Sequence, residues 1–206
     1  MSTSSLPARE TSYGESPLTL VDRFGVALSR RAVVRAIGAR DALDALDLGC
    51  GFHARMLRAL GPRVRSGLGV DVRISEEARR VAGLAFQECP IEEAIDTLPD
   101  QSFDVVLILS VLEHLADPLE TLQHASRVAR PGGVVLINVP TWRGKVFLEF
   151  SAFRLGMSPA VEMNDHKMYY DVRDLWPLLV RAGFRPVNLT LRYHKFGLNL
   201  FAVAKA

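Results

Sequence analysis

Residues Asp47 to Ala54 read DLGCGFHA. Gly49, Gly51 and Ala54 fit the pattern G-x-G-x-x-A, which in dinucleotide-binding folds opens the helix after a strand. Two positions before the first glycine stands Asp47. A carboxylate there repels a pyrophosphate, so the loop raises the question of what it holds. Its alternative reading is a turn of purely structural use, and that of Asp47 is an N-cap partner of the next helix.

The flanking segments decide which fold carries the loop. ALDALDL (42–48) is a short strand that ends at it, and ARMLRAL (54–60) is a helix. SGLGVD (66–71) is a second strand, ISEEARRVA (74–82) a second helix begun by Ser75 with acids in its first turn, and GLAFQE (83–88) a third strand. FDVVLIL (103–109) and GVVLINV (133–139) are near-continuous apolar runs, as expected of parallel strands covered on both faces. Between them PLETLQHASRVA (118–129) is a helix that the Pro-Gly-Gly of residues 131–133 stops. Strand and helix in alternation predict an α/β fold with a mostly parallel sheet and right-handed crossovers.

The same spacing predicts a helix over 17–37 and a helix at VRDLWPLLVRAG (172–183), interrupted by Pro177. The segment 184–206 forms two strands joined near Gly197. Residues 1–16, rich in Ser, Thr, Pro and Gly, read as a flexible tail, and 17–206 as a single domain.

Composition narrows the function classes. The 206 residues are 49% hydrophobic with a net charge of +2, and the basic residues are dispersed, which argues against a nucleic-acid partner. Cys50 and Cys89 form neither a disulfide framework nor a C-x-x-C metal site, and no metal is expected. The first residues lack the apolar core of a signal peptide, and no apolar run is long enough to span a bilayer. A cytoplasmic location follows as the expectation.

In an open α/β sheet, ligands bind beyond the carboxyl ends of the strands, at the switch in strand order. Asp71 ends the second strand 22 residues after Gly49, where an acid accepts hydrogen bonds from ribose hydroxyls. The pair reads as a nucleoside site. S-adenosylmethionine carries an ammonium and a sulfonium and no phosphate, so Asp47 favours it over NAD.

Four segments in order, LDLGCG (46–51), GVD (69–71), FDVVLILSVLEHLADP (103–118) and VARPGGVVLINVP (128–140), resemble the class I S-adenosylmethionine-dependent methyltransferases, close to the type 11 group. The resemblance implies a Rossmann-like, doubly wound, seven-stranded sheet whose last strand is antiparallel. It also implies S-adenosyl-L-methionine held by Asp47, Gly49, Cys50, Gly51, Asp71, Val72, Ile91 and Ser110. There are two departures: His53 stands where a third glycine is common, and Pro90 stands where an acid often meets the adenine amino group, so that Ile91 backbone or Glu92 would replace it.

Methyl transfer needs a base only when the acceptor must lose a proton. His114 follows the fourth strand, and His166 lies in NDHKMYYDVRDL (164–175), the stretch that faces the acceptor in similar enzymes. Their alternative readings are a helix-start residue bonded to backbone and a capped loop with Asp171 as N-cap. One of Tyr169 and Tyr170 is expected in the core, and His124 and His194 are read as structural. Residues 142–161 fit a covering helix, a lid, a dimer face or a groove for a peripheral or lipid-linked acceptor.

The expected function is methyl transfer to a small molecule at oxygen. Set against it are a cofactor-binding module without catalysis and an NAD-linked oxidoreductase. The chain lacks an N/D-P-P-Y motif, since residues 139–142 read VPTW, which argues against N-methylation of DNA or protein amides.

Overall fold

The computed structural model describes residues 12–15, 18–146 and 167–206. Seven strands form one sheet: β1 (Leu43–Leu48), β2 (Val64–Asp71), β3 (Leu84–Glu88), β4 (Phe103–Leu109), β5 (Ala129–Pro140), β6 (Leu189–His194) and β7 (Asn199–Lys205). Their order is β3-β2-β1-β4-β5-β7-β6. β1 pairs in parallel with β2 and β4, whereas β7 runs antiparallel to both β5 and β6. This is the doubly wound, seven-stranded arrangement that the resemblance implied.

The helices cover both faces, as the apolar runs require. Successive residues Val105, Val106, Leu107 and Ile108 of β4 are all fully buried. Val106 and Ile108 join a cluster with α4 (Ile91–Ile95), α5 (Pro118–Val128) and α6 (Val172–Arg181). Val105 and Leu107 join another with α1 (Leu20–Ile37) and α2 (Arg55–Leu60). A short α3 (Glu76–Arg79) is capped by Ser75, whose hydroxyl accepts from the Ala78 N–H.

Several boundaries differ from the sequence reading. Helix α1 begins at Leu20, behind a capping box of Thr19 and Asp22. Helix α5 stops at Val128, and the Pro-Gly-Gly run belongs to β5, where the pairing with β4 shifts between Phe103 and Val105. Helix α6 starts at Val172 behind Asp171 as N-cap, as predicted, but it runs through the exposed Pro177, losing only the hydrogen bond that the proline nitrogen cannot donate. Helix α4 is too short for its five residues to show a helical period. Tyr169 and Tyr170 are both buried, where one was expected. Residues 12–15, read as part of a flexible tail, pack on the glycine loop: the Tyr13 carbonyl accepts from the Phe52 N–H at 2.9 Å, and Glu15 pairs with Arg73 at 2.7 Å. Of the segment 142–161, residues 142–146 are helical and the remainder lies outside the described residues.

The amino ends of four strands are tied by Asp44. Its carboxylate accepts from Arg65 and from the Ser66 hydroxyl on β2 and pairs with Arg130 of β5, while its own N–H donates to Asp104 of β4 at 2.8 Å. Arg65 first, and then Ser66 and Arg130, hold the Asp44 carboxyl well below the ordinary carboxylate range against the opposing cost of burial. Asp44→Ala removes the acceptor shared by Arg65, Ser66 and Arg130, and is expected to cost about 1–3 kcal/mol. Because the folded-state value is depressed, this contribution is present at neutral pH and fades as pH falls below the ordinary carboxylate range. Urea denaturation at pH 7 should show the full difference between wild type and variant, and at pH 3 a smaller one.

Candidate functional site

The carboxyl ends of β1, β2, β4 and β5 open into a cavity of about 370 Å³. Gly49 and Gly51 adopt positive φ of 74° and 75°, in the region that favours glycine. At Gly49 the space excludes any side chain as well: a Cβ would stand 2.3 Å from Cγ2 of Val111, in the loop after β4. At Gly51 it would stand 3.1 Å from the Tyr13 carbonyl oxygen. Gly69, in β2, leaves room for the Cys50 thiol, which a Cβ there would meet at 2.9 Å.

Asp71 binds the loop to the end of β2. One carboxylate oxygen accepts from the Gly51 N–H at 2.7 Å and the other from the Val72 N–H at 2.9 Å. Each oxygen keeps a further lone pair, and Asp71 lines the cavity. Asp47 is only 1% exposed, and its Oδ2 has no hydrogen-bond partner. Burial first, and the charge of Asp71 second, push its carboxyl up to about 8. Burial and the same two acids push the Cys50 thiol up.

The loop after β4 closes the cavity on its other side. Ser110 takes a positive φ of 60°; its N–H donates to the Asn138 carbonyl at 2.7 Å, and its hydroxyl accepts from the Asn138 amide at 3.2 Å. Asn138 is itself 1% exposed, with its Oδ1 unpaired at the cavity wall. The His114 N–H donates to the Val111 carbonyl, and the residue lines the cavity. The remaining wall comes from α1, through Asp22, Gly25 and Ser29, and from the turn between β6 and β7, through Lys195, Leu198 and Asn199.

Of the residues singled out in the sequence, Asp47, Gly49, Cys50, Gly51, Asp71, Ser110 and His114 come together around this cavity. Val72 and Ile91 do not line it: Val72 is half-buried and Ile91 is packed in the core at the start of α4. His166 lies outside the described residues. His53, in place of the third glycine, stands at the rim with its ring edge-on to Phe52. His124 contacts Arg127 and Asp96 away from the cavity, and His194 packs against Phe201. Sequence reading missed Asn138, Lys195 and the α1 wall. Asn138 carried a signal, as the one polar residue in GVVLINV, whereas Lys195 and Ser29 looked like ordinary turn and helix residues. Among the described residues no group of three or more His, Cys, Asp or Glu is placed to hold a metal, and no helix is long and apolar enough to cross a membrane.

Comparison with known proteins places this cavity in context. A family model described as a methyltransferase domain matches residues 21–189. A probable S-adenosylmethionine-dependent methyltransferase of Mycolicibacterium smegmatis is 30% identical over 75% of this chain and 57% of its own. A ubiquinone biosynthesis O-methyltransferase of Parvibaculum lavamentivorans is 28% identical over 76% of this chain and 64% of its own. The chain spans about half the length of the curated relatives it matches. The solved structure of a SAM-dependent methyltransferase from Archaeoglobus fulgidus superimposes with a TM-score of 0.64 at 16% identity, covering 89% of this chain and 94% of that one.

The residues present fit S-adenosylmethionine. The glycine cradle excludes side chains where a ligand would approach, and Asp47 offers an orphaned buried oxygen to a cation. A cationic ligand favours the ionised form of Asp47, so binding below pH 8 should release a proton. Calorimetry at pH 6.5 in buffers of different ionisation enthalpy should detect that release in wild type and not in Asp47→Asn. The raised value also sets a sign for the free protein: ionising Asp47 in the fold is costly, so stability falls as pH rises from the ordinary carboxylate range through about 8. The asparagine variant should lose that part of the slope.

Proposed function

We propose, for a chain that belongs to the S-adenosyl-L-methionine-dependent methyltransferase family, that the cavity transfers a methyl group to an oxygen of a small-molecule acceptor. The observation that carries the reading is Asp47, a buried carboxylate with an unpaired oxygen beside the glycine loop. It suits a cationic nucleoside and disfavours the pyrophosphate of NAD. The net charge of +2, without a basic stripe, supports a small acceptor over a nucleic acid.

When bound, S-adenosylmethionine supplies a methyl group already activated by its sulfonium. The chain's task is then to position, and at oxygen to remove a proton. Asp71 holds the ribose hydroxyls with its free lone pairs while its backbone bonds keep Gly51 and Val72 in place. Asp47 attracts the cationic end from the floor. Cys50, Gly49, Gly51 and Ser110 form the close walls. The acceptor enters between α1 and the turn after β6, and His114 takes its hydroxyl proton.

Bonds to a charged acceptor are worth about 1.5–3 kcal/mol each, so Asp71→Ala should weaken S-adenosylmethionine binding about tenfold or more. Loss of a base costs about 10²- to 10⁴-fold in rate, so His114→Ala should lose turnover to S-adenosylhomocysteine with a hydroxyl acceptor that the wild type methylates, while keeping cofactor affinity within about threefold. Titration calorimetry with S-adenosylmethionine and NAD decides the cofactor half of the proposal. Micromolar NAD binding with no response to S-adenosylmethionine would defeat it.

A further inference from the structure

The cavity that holds Asp47 and Asp71 also takes in a buried cation. Lys195 lies in the turn between β6 and β7, and its side chain lines the cavity. It reaches α1, where a Cβ built on Gly25 would meet its Nζ at 3.7 Å. Among the described residues its ammonium has no ion pair and no hydrogen bond. Glu113 and Asp22 are close enough to favour the charged form, yet burial outweighs them and moves the amine below its usual range. Burial first, and the charge of Lys195 second, also hold His194 below its usual range.

The backbone fixes this placement. Lys195 and Phe196 take successive positive φ values of 49° and 61°. Residues other than glycine persist there only where the surroundings over-determine them, a condition met mostly at functional sites. The Thr141 hydroxyl secures the turn by donating to the Gly197 carbonyl at 2.8 Å, and the Thr141 N–H by donating to the Leu198 carbonyl at 3.0 Å. A strained turn thus aims a desolvated cation into a cavity, where water is a poor substitute for an anion.

Its position separates it from the cofactor residues. In the strand order β6 lies four places from β1 and five from β2. At about 4.8 Å per strand, the backbone at the end of β6 is roughly 20 Å from the strand that carries Asp47, and from there the Lys195 side chain reaches back to Gly25 of α1. It shares its wall of the cavity with Gly25 and Leu198, the side on which the reading above brings in the acceptor. We propose that Lys195 binds an anionic group, a carboxylate or a phosphate, on the methyl acceptor. This rests on the methyl-transfer reading above.

The test uses the whole chain saturated with S-adenosylhomocysteine, whose binding is first measured by calorimetry. Benzoate and inorganic phosphate are the probes and benzamide is the neutral control. For an anion bound with Kd near 1 mM, about 10 mM should raise Tm by roughly 3–6 °C. The benzoate and phosphate arms distinguish the two anion classes. Benzamide should give no rise, Lys195→Gln should abolish the rise, and Lys195→Arg should keep it. An equal rise in Lys195→Gln overturns the proposal, as does the absence of a rise with either anion. A rise seen in the free chain but lost on saturation assigns Lys195 to the cofactor's own carboxylate and also overturns it. If S-adenosylhomocysteine fails to bind, the methyl-transfer reading fails at that first step, and the anion arms are read on the free chain. Should Lys195→Gln not fold by circular dichroism, Lys195→Met takes its place.

Discussion

The architecture of the site depends on one close approach. Between the loop after β1 and the loop after β4 there is no space for even a methyl group at residue 49, because Val111 occupies it. That contact brings the two parallel neighbours' carboxyl ends together and lets Asp47 and Ser110 share one cavity. The left-handed backbone at Gly49 and Gly51 is the local condition for it, and the Asp71 carboxylate maintains the condition from the adjacent strand. A side chain at Gly49 would therefore act on loop, strand end and cavity together.

Electrostatics divides the molecule into two ends. At the amino ends of the strands Asp44 is surrounded by cations and remains ionised. At the carboxyl ends Asp47 is buried beside another acid and resists ionisation. The two residues lie three positions apart on the same strand. Their chemical identity is the same, and their surroundings decide that one braces the sheet while the other awaits a positive charge.

The fold was largely legible because its central strands are apolar on both faces, a pattern that leaves few alternatives. FDVVLIL coincides with β4, and the terminal hairpin turns near Gly197 as read. Legibility ended where local pattern stops deciding. Five residues cannot display the period of α4, and the Pro-Gly-Gly that ought to terminate a helix is drawn into β5 by pairing with β4. At the site, the glycine loop and Asp71 were visible because their chemistry is local and spaced along the chain. Lys195, Ser29 and Tyr13 were not, since each reaches the cavity from an element whose sequence describes only its own secondary structure. His114 and Ser110 were found through their place after β4, and the structure puts both on the wall.

One side chain in the cradle acquires a different meaning from the company it keeps. Cys50 sits against Gly69 with Asp47 and Asp71 nearby, and burial together with those acids holds its thiol protonated. The nucleophilic form of cysteine is the thiolate. A sulfonium methyl donor is an electrophile that would alkylate a thiolate lying beside it. Burial first, and after it the two acids that would favour the donor's positive charge, thus keep this thiol in its less reactive form.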